Sequence, residues 1–264
     1  MKELLIIDIK HGCIEQWKKY FIIICITFYS CVVFWNRYYN TGDINNISCA
    51  DMIFFNLKGM KYIKDSSIVI IPDGFWLALN MFLSLLIGNY PIYDMKLWGQ
   101  QKFIHLNKKS IWWKSKCVWC MISVLIYYFI IITVSIFSGI IFGDGSMTLH
   151  QEVTNRFSIS NNISINTLVI SLMVMILISC ILSEFQMLIS VIAGAVWGYI
   201  FNAIVLINAV YTKSDYALGN FLMLIRVYSM DINIVQIIIL WCICFIFVLW
   251  IGTIIIKRKD LKDK

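Results

Sequence analysis

Cys117-Val118-Trp119-Cys120 has the spacing of a redox or metal-binding cysteine pair. Such a pair needs a second pair for zinc, or a soluble redox fold around it. Here it opens an apolar run and has neither. The three histidines, His11, His105 and His150, stand in separate polar segments and do not converge on one metal. The chain contains no GxxxxGK[ST] for nucleotide phosphates, no HExxH for zinc and no GxSxG for a serine nucleophile. Charged residues inside apolar runs usually mark ion paths. Glu184 is the nearest case, and it falls where two apolar runs meet, so a cytoplasmic turn is expected there. Other polar side chains within apolar runs are uncharged, among them Asn80, Ser84, Gln186, Asn202, Asn208 and Gln236. They suit helix–helix hydrogen bonding or the lining of a path. Gly194 and Gly198, and likewise Gly139 and Gly143, stand four apart. That spacing lets two membrane helices approach closely.

The elements that hold these residues follow from composition. Of 264 residues, 60% are apolar and only 14% charged, and the mean hydropathy is +0.80. Soluble domains hold about 45–50% apolar and about 25% charged residues. A soluble fold of this length cannot bury the excess, because a single core stops growing near this size. An ordinary cytosolic enzyme, a disordered chain and a fibrous repeat are excluded. The nine cysteines fall mostly in apolar runs, where a thiol behaves as a small hydrophobe, and give no disulfide framework.

The expected fold class is all-α, a polytopic membrane protein with six transmembrane helices in one transmembrane domain, 1–264. The spans are placed at about 20–35, 74–93, 117–142, 165–183, 185–210 and 233–256, against the roughly 20 residues that a bilayer requires; the first is short, and Lys18, Lys19 and Arg37 are expected to snorkel around it. Backbone groups in lipid must be satisfied within the segment, which favours helices, and the runs lack the alternation of barrel strands. The first run follows a charged segment with no small-residue cleavage site, so no cleaved leader is expected. Lys and Arg divide fifteen to seven between the two sides. The excess marks the cytoplasmic side, so both termini are expected there, in the plasma membrane.

Residues 1–19 are expected to form an interfacial helix. Leu4, Ile7, Ile14 and Trp17 would share an apolar side, with Lys2, Asp8, Lys10 and Glu15 in water. The stretch from Asp94 to Lys116 carries six lysines among Trp98, Phe103, Ile104, Leu106, Ile111, Trp112 and Trp113. It is suited equally to lying on lipid and to docking a protein. Segment 36–73 ends in the β-prone run Ile68–Ile71 and is expected to hold a short strand or helix. Segment 211–232 is too apolar for a free loop, and a half-buried or re-entrant helix fits it.

This layout resembles the membrane subunit of type-2 ABC exporters, above all the short permeases of bacteriocin or lantibiotic immunity and of peptide or drug efflux. The stretches Trp98–Phe103 and Lys108–Lys114 look like the family's cytoplasmic coupling region. Asp94 answers to an acid that the family carries there, with lysine in place of its arginine. The resemblance implies a chain without its own ATPase, paired with two copies of an ATPase subunit and a second permease, the same chain or another. ATP and Mg would sit on the ATPase, and this chain itself would hold no cofactor and no metal and would touch lipid but no nucleic acid. Trp98, Gln100, Gln101, Lys102, Phe103 and Leu106 would carry the coupling. The cargo would be an amphipathic peptide, drug or lipid-like molecule. Three other classes compete. A secondary transporter should show ionisable residues in its spans or an internal repeat. A membrane enzyme should cluster His, Asp, Glu or Cys at one depth. A non-catalytic scaffold or regulator would share the composition.

Overall fold

The computed structural model describes residues 2–39, 47–62, 72–97, 109–157, 164–212, 217–229 and 234–258. All regular structure among them is helical. Helix α1 spans Lys2–Ile9 and runs into a π-helical turn, Lys10–Ile14. Helix α2 spans Trp17–Tyr39, α3 Cys49–Leu57, α4 Gly74–Gly88 and α5 Tyr90–Leu97. Helix α6, Lys109–Phe142, has 34 residues. Helix α7 is Gln151–Arg156, α8 is Ile165–Ala193 and α9 is Ala195–Tyr211. A 3₁₀ turn, Leu218–Leu222, leads into α10, Leu224–Tyr228, and α11 spans Ile234–Arg258.

Among the described residues, five helical stretches are long and apolar enough to cross a membrane: Trp17–Arg37, Gly74–Met95, Lys109–Phe142, Ile165–Ala193 and Val235–Arg258. The remaining apolar helix, α9, has 17 residues. Helix α6 is central and packs against α1, α2, α3, α4, α8 and α11. Its inward side presents Trp113, Cys117, Cys120, Val124, Tyr128 and Ile131. These recur at intervals of three and four, the period of one helical face. Phe129, Phe137, Ile140 and Ile141 point outward, as apolar residues facing hydrocarbon do.

Several boundaries differ from the expected ones. The turn at Glu184 does not exist. Helix α8 continues through it and stops at Gly194, whose φ is +107°. Ser183, Glu184 and Phe185 contain no helix breaker, whereas glycine adopts such a backbone without steric cost. The expected spans 165–183 and 185–210 are therefore helices 165–193 and 195–211. The third span begins at Lys109 rather than Cys117, so the basic residues Lys109, Lys114 and Lys116 are helical.

The N-terminal helix is turned differently from the expected orientation. Asp8 is buried, while Trp17 is 60% exposed and Ile14 64%. Its inward polar side chain finds partners inside the bundle, which outweighs the apolar pattern. In segment 36–73, Cys49–Leu57 is helical, with Ser48 and Asp51 forming a reciprocal capping box. The run Ile68–Ile71 lies outside the described residues. In segment 211–232, Phe221, Leu222, Met223 and Leu224 are buried in two short helical turns.

Candidate functional site

At the end of the bundle that carries α1, three ionisable side chains meet out of water. The Lys116 ammonium donates to Asp8 Oδ1 and lies 2.7 Å from Asp94 Oδ2. All three are buried. Trp112 Nε1–H donates to Asp94 Oδ2 at 2.8 Å, Ser115 Oγ–H to Asp8 Oδ2 at 2.7 Å, and Tyr90 O–H to Asp8 Oδ1 at 3.0 Å. The ammonium also sits 4.4 Å from the Tyr90 ring centroid and 5.4 Å from that of Trp112. One cation against two carboxylates leaves a formal charge of −1, spread over neutral donors.

Local periodicity builds this cluster. Tyr90 and Asp94 are four apart on α5, and Trp112, Ser115 and Lys116 occupy positions i, i+3 and i+4 of α6. Each set therefore faces one way. Helix α1 brings Asp8, and the π turn behind it brings Gly12 hard against α6. A Cβ on Gly12 would lie 2.3 Å from Trp119 Nε1. Beside the cluster is a cavity of about 500 Å³, lined on one side by His11, Glu15, Gln16 and Lys19, and on the other by Asn89, Tyr90, Tyr93 and Asp94. His11 Nδ1 and Glu15 Oε2 are 2.7 Å apart at its rim.

The cluster joins α5 and α6, the helices on either side of residues 98–108. Trp98, Gln100, Gln101, Lys102, Phe103 and Leu106, expected to carry coupling, lie outside the described residues. What the structure places is the pair of helices flanking them, tied together and to α1. Sequence reasoning missed Asp8, Tyr90 and Lys116. A carboxylate inside the run LLIIDI and a lysine seven residues inside a helix that begins at Lys109 were the available signals.

A second polar group lies deeper. Glu184 is fully buried, and neither of its oxygens has a hydrogen-bond partner among the described residues. Cys117 and Cys120 of α6, Cys180 of α8 and Cys244 of α11 stand within its electrostatic reach. Two residues on, Gln186 Nε2 donates to Ser84 O at 2.6 Å, and Asn202 Nδ2 donates to Gln186 Oε1. This chain of amides fastens α4, α8 and α9. Asn80 Nδ2 donates to Trp76 O within its own helix.

The glycines are close-approach points, with one exception. A Cβ at Gly139 would lie 2.6 Å from Cys49 Cα, and one at Gly143 would lie 2.0 Å from Ile47 O. These two admit the start of α3 against the end of α6. A Cβ at Gly198 would meet Ser190 Oγ at 2.0 Å and Gln186 O at 2.8 Å, so this glycine seats α9 on α8. Gly194 is not in the middle of a span. It occupies the break between α8 and α9, where a Cβ would meet nothing within 4 Å, and its φ is the reason for glycine there.

All nine cysteines are free thiols, and no group of three or more His, Cys, Asp or Glu among the described residues could hold a metal ion. No protein-family model, curated protein or solved structure matches the chain.

Proposed function

We propose that the chain is the permease subunit of an ATP-driven exporter of the ABC-2 type. In this reading α9 is a sixth span, both termini are cytoplasmic, and a separate ATPase supplies ATP hydrolysis. The observation that carries it is the Asp8–Lys116–Asp94 cluster. It locks α1, α5 and α6 into one unit at the lysine-rich end, on both sides of the basic, aromatic 98–108 segment. A force applied to that segment then moves α4–α5 and α6 together instead of bending a loop. Helix α6 contacts five further helices, so such a displacement reaches most of the bundle. The apolar outward surfaces suit an amphipathic cargo that reaches the protein through the bilayer.

The test is affinity capture of the full-length tagged chain from its host in mild detergent, followed by mass spectrometry. A stoichiometric P-loop ATPase is the expected result. Recovery of the chain alone, under conditions that preserve a known ABC complex, would overturn the reading. With the ATPase present, Trp98→Ala and Phe103→Ala should lower transport per ATP hydrolysed while insertion is unchanged.

Glu184 favours a second reading, transport driven by an ion gradient without ATP. A carboxyl enclosed within a membrane helix is the feature that such a carrier needs. In vesicles containing the chain alone, this reading expects gradient-dependent flux that Glu184→Gln abolishes. The exporter reading expects none.

A further inference from the structure

Two hydrogen-bonded groups lie inside the bundle, away from the ionisable cluster. In the first, the hydroxyls of Tyr128 on α6 and Ser179 on α8 are 2.7 Å apart. In the second, Asn202 of α9 donates to Gln186 Oε1, and Gln186 Nε2 donates to Ser84 O of α4 at 2.6 Å. The first group joins α6 to α8. The second joins α9, α8 and α4. Ser179 and Asn202 line the same small cavity, together with Asn80 and Ser183.

The second group leaves one acceptor over. The Ser84 carbonyl can only accept, so Gln186 must turn its Nε2 toward it. Gln186 Oε1 then faces Asn202, which must answer with Nδ2. Asn202 Oδ1 is left without a partner among the described residues, and the residue is only 8% exposed. Flipping either amide sets two acceptors face to face, so the donor for Oδ1 has to come from outside the chain of amides. Within hydrocarbon, bulk water does not supply one.

The cavity measures about 20 Å³. A buried water needs at least about 10–15 Å³ and two to four polar partners. Four polar side chains line this space, and its other walls are leucines. No charged side chain lines it among the described residues. A metal cation would lose its hydration there with no carboxylate in return, which is prohibitive in low dielectric. A water both donates and accepts, as the site requires.

We infer that this cavity holds one trapped water, which donates to Asn202 Oδ1 and bonds the Ser179 hydroxyl, with Ser183 and Asn80 completing its partners. The water joins the two groups into one network from Tyr128 to Ser84, across α6, α8, α9 and α4. Hydrogen bonds in such a network polarise one another in a low-dielectric interior. The inference is independent of how transport is powered and survives failure of the ATPase capture.

The test is X-ray radiolytic footprinting of the full-length chain in detergent, read residue by residue by mass spectrometry. The pulse converts water to hydroxyl radicals, which oxidise side chains beside an ordered water even where bulk solvent is excluded. Leu206 and Leu222 line the cavity and are about as buried as Leu57 and Leu168, which do not. Wild type should oxidise the first pair several-fold faster than the second. Ser179→Ala leaves the Asn202–Gln186–Ser84 contacts in place and should remove that excess. Asn202→Leu, which deletes the open acceptor, should remove it too. Should either variant fail to fold, the wild-type comparison and the other variant decide. Equal oxidation of the two leucine pairs in wild type, or an excess that persists in Ser179→Ala or Asn202→Leu, would overturn the proposal.

Discussion

Lys116 Nζ lies 2.7 Å from Asp94 Oδ2, bridging α6 to α5 where no water reaches. The 34-residue helix α6 is thereby joined to the eight-residue α5 by charge, and a second carboxylate, Asp8, attaches α1 to the same ammonium. A buried ion pair seldom adds much net stability, because desolvation offsets the Coulomb attraction. Its effect is to make one arrangement of α1, α5 and α6 far better than any other.

Lys116→Met should therefore be severe, costing about 3–5 kcal/mol, because it leaves two buried carboxylates without a cation. The triple variant Asp8→Asn, Asp94→Asn, Lys116→Met should recover a large part of that loss. Thermal melting in detergent measures both. A single Lys116→Met variant that melts like wild type would refute the assignment of these groups as mutual partners.

Arg226 makes a different kind of junction. Its guanidinium donates to Ala209 O and Asn220 Oδ1, to Val210 O and Thr212 O at 3.1 Å each, and to Met60 O at 3.1 Å. It thus satisfies carbonyls that the C-terminus of α9 leaves open. A lysine cannot reproduce the planar fork. Arg226→Lys should cost at least about 2 kcal/mol, since each buried polar group left unpaired costs about 1–3 kcal/mol. Limited proteolysis near residues 212–223 should accelerate in step with the loss of melting temperature.

Gly198→Ala should destabilise the α8–α9 hairpin by about 1–3 kcal/mol, the usual cost of overpacking. The clash involves the Ser190 hydroxyl and the Gln186 carbonyl. Adding Ser190→Ala should relieve only the first part. Full recovery in the double variant would show that the backbone contact with Gln186 does not matter.

Burial holds the Lys58 ammonium below its ordinary value of 10.5, with Asp73 opposing that shift and Arg37 adding to it. The unfolded chain then binds the proton more tightly than the folded one. Stability contributed by this residue rises with pH from the folded value up to 10.5, and the penalty is present in full below the folded value. Lys58→Met lacks this titration. Its melting temperature relative to wild type should be most favourable at neutral pH and should decline through the alkaline range. A difference that stays flat across that range would count against the burial of Lys58.

The class of molecule was legible in composition, since this much apolar sequence has no soluble solution. Helix positions were legible where apolar runs end in Lys or Arg, as at Arg37 and Lys257. They were misread at Glu184, because a lone charge in an apolar run looks like an aqueous turn until its neighbours are known. Thiols on three helices, Cys117, Cys120, Cys180 and Cys244, lie within its electrostatic reach, and none is near it in sequence except Cys180. Gly194 was read as a packing residue because spacing shows small residues but not φ.

The sequence by itself determined a helical, lipid-compatible chain, because hydropathy acts through each residue's own transfer free energy. Only the tertiary structure decided that Asp8 turns inward, that Lys116 finds two carboxylates from distant helices, and that Ser179 and Asn202 share a cavity. Those outcomes depend on which helix faces meet. Helix α6 has room for Asp8 because Gly12 lets α1 approach Trp119, a contact between residues more than a hundred positions apart that no local pattern encodes.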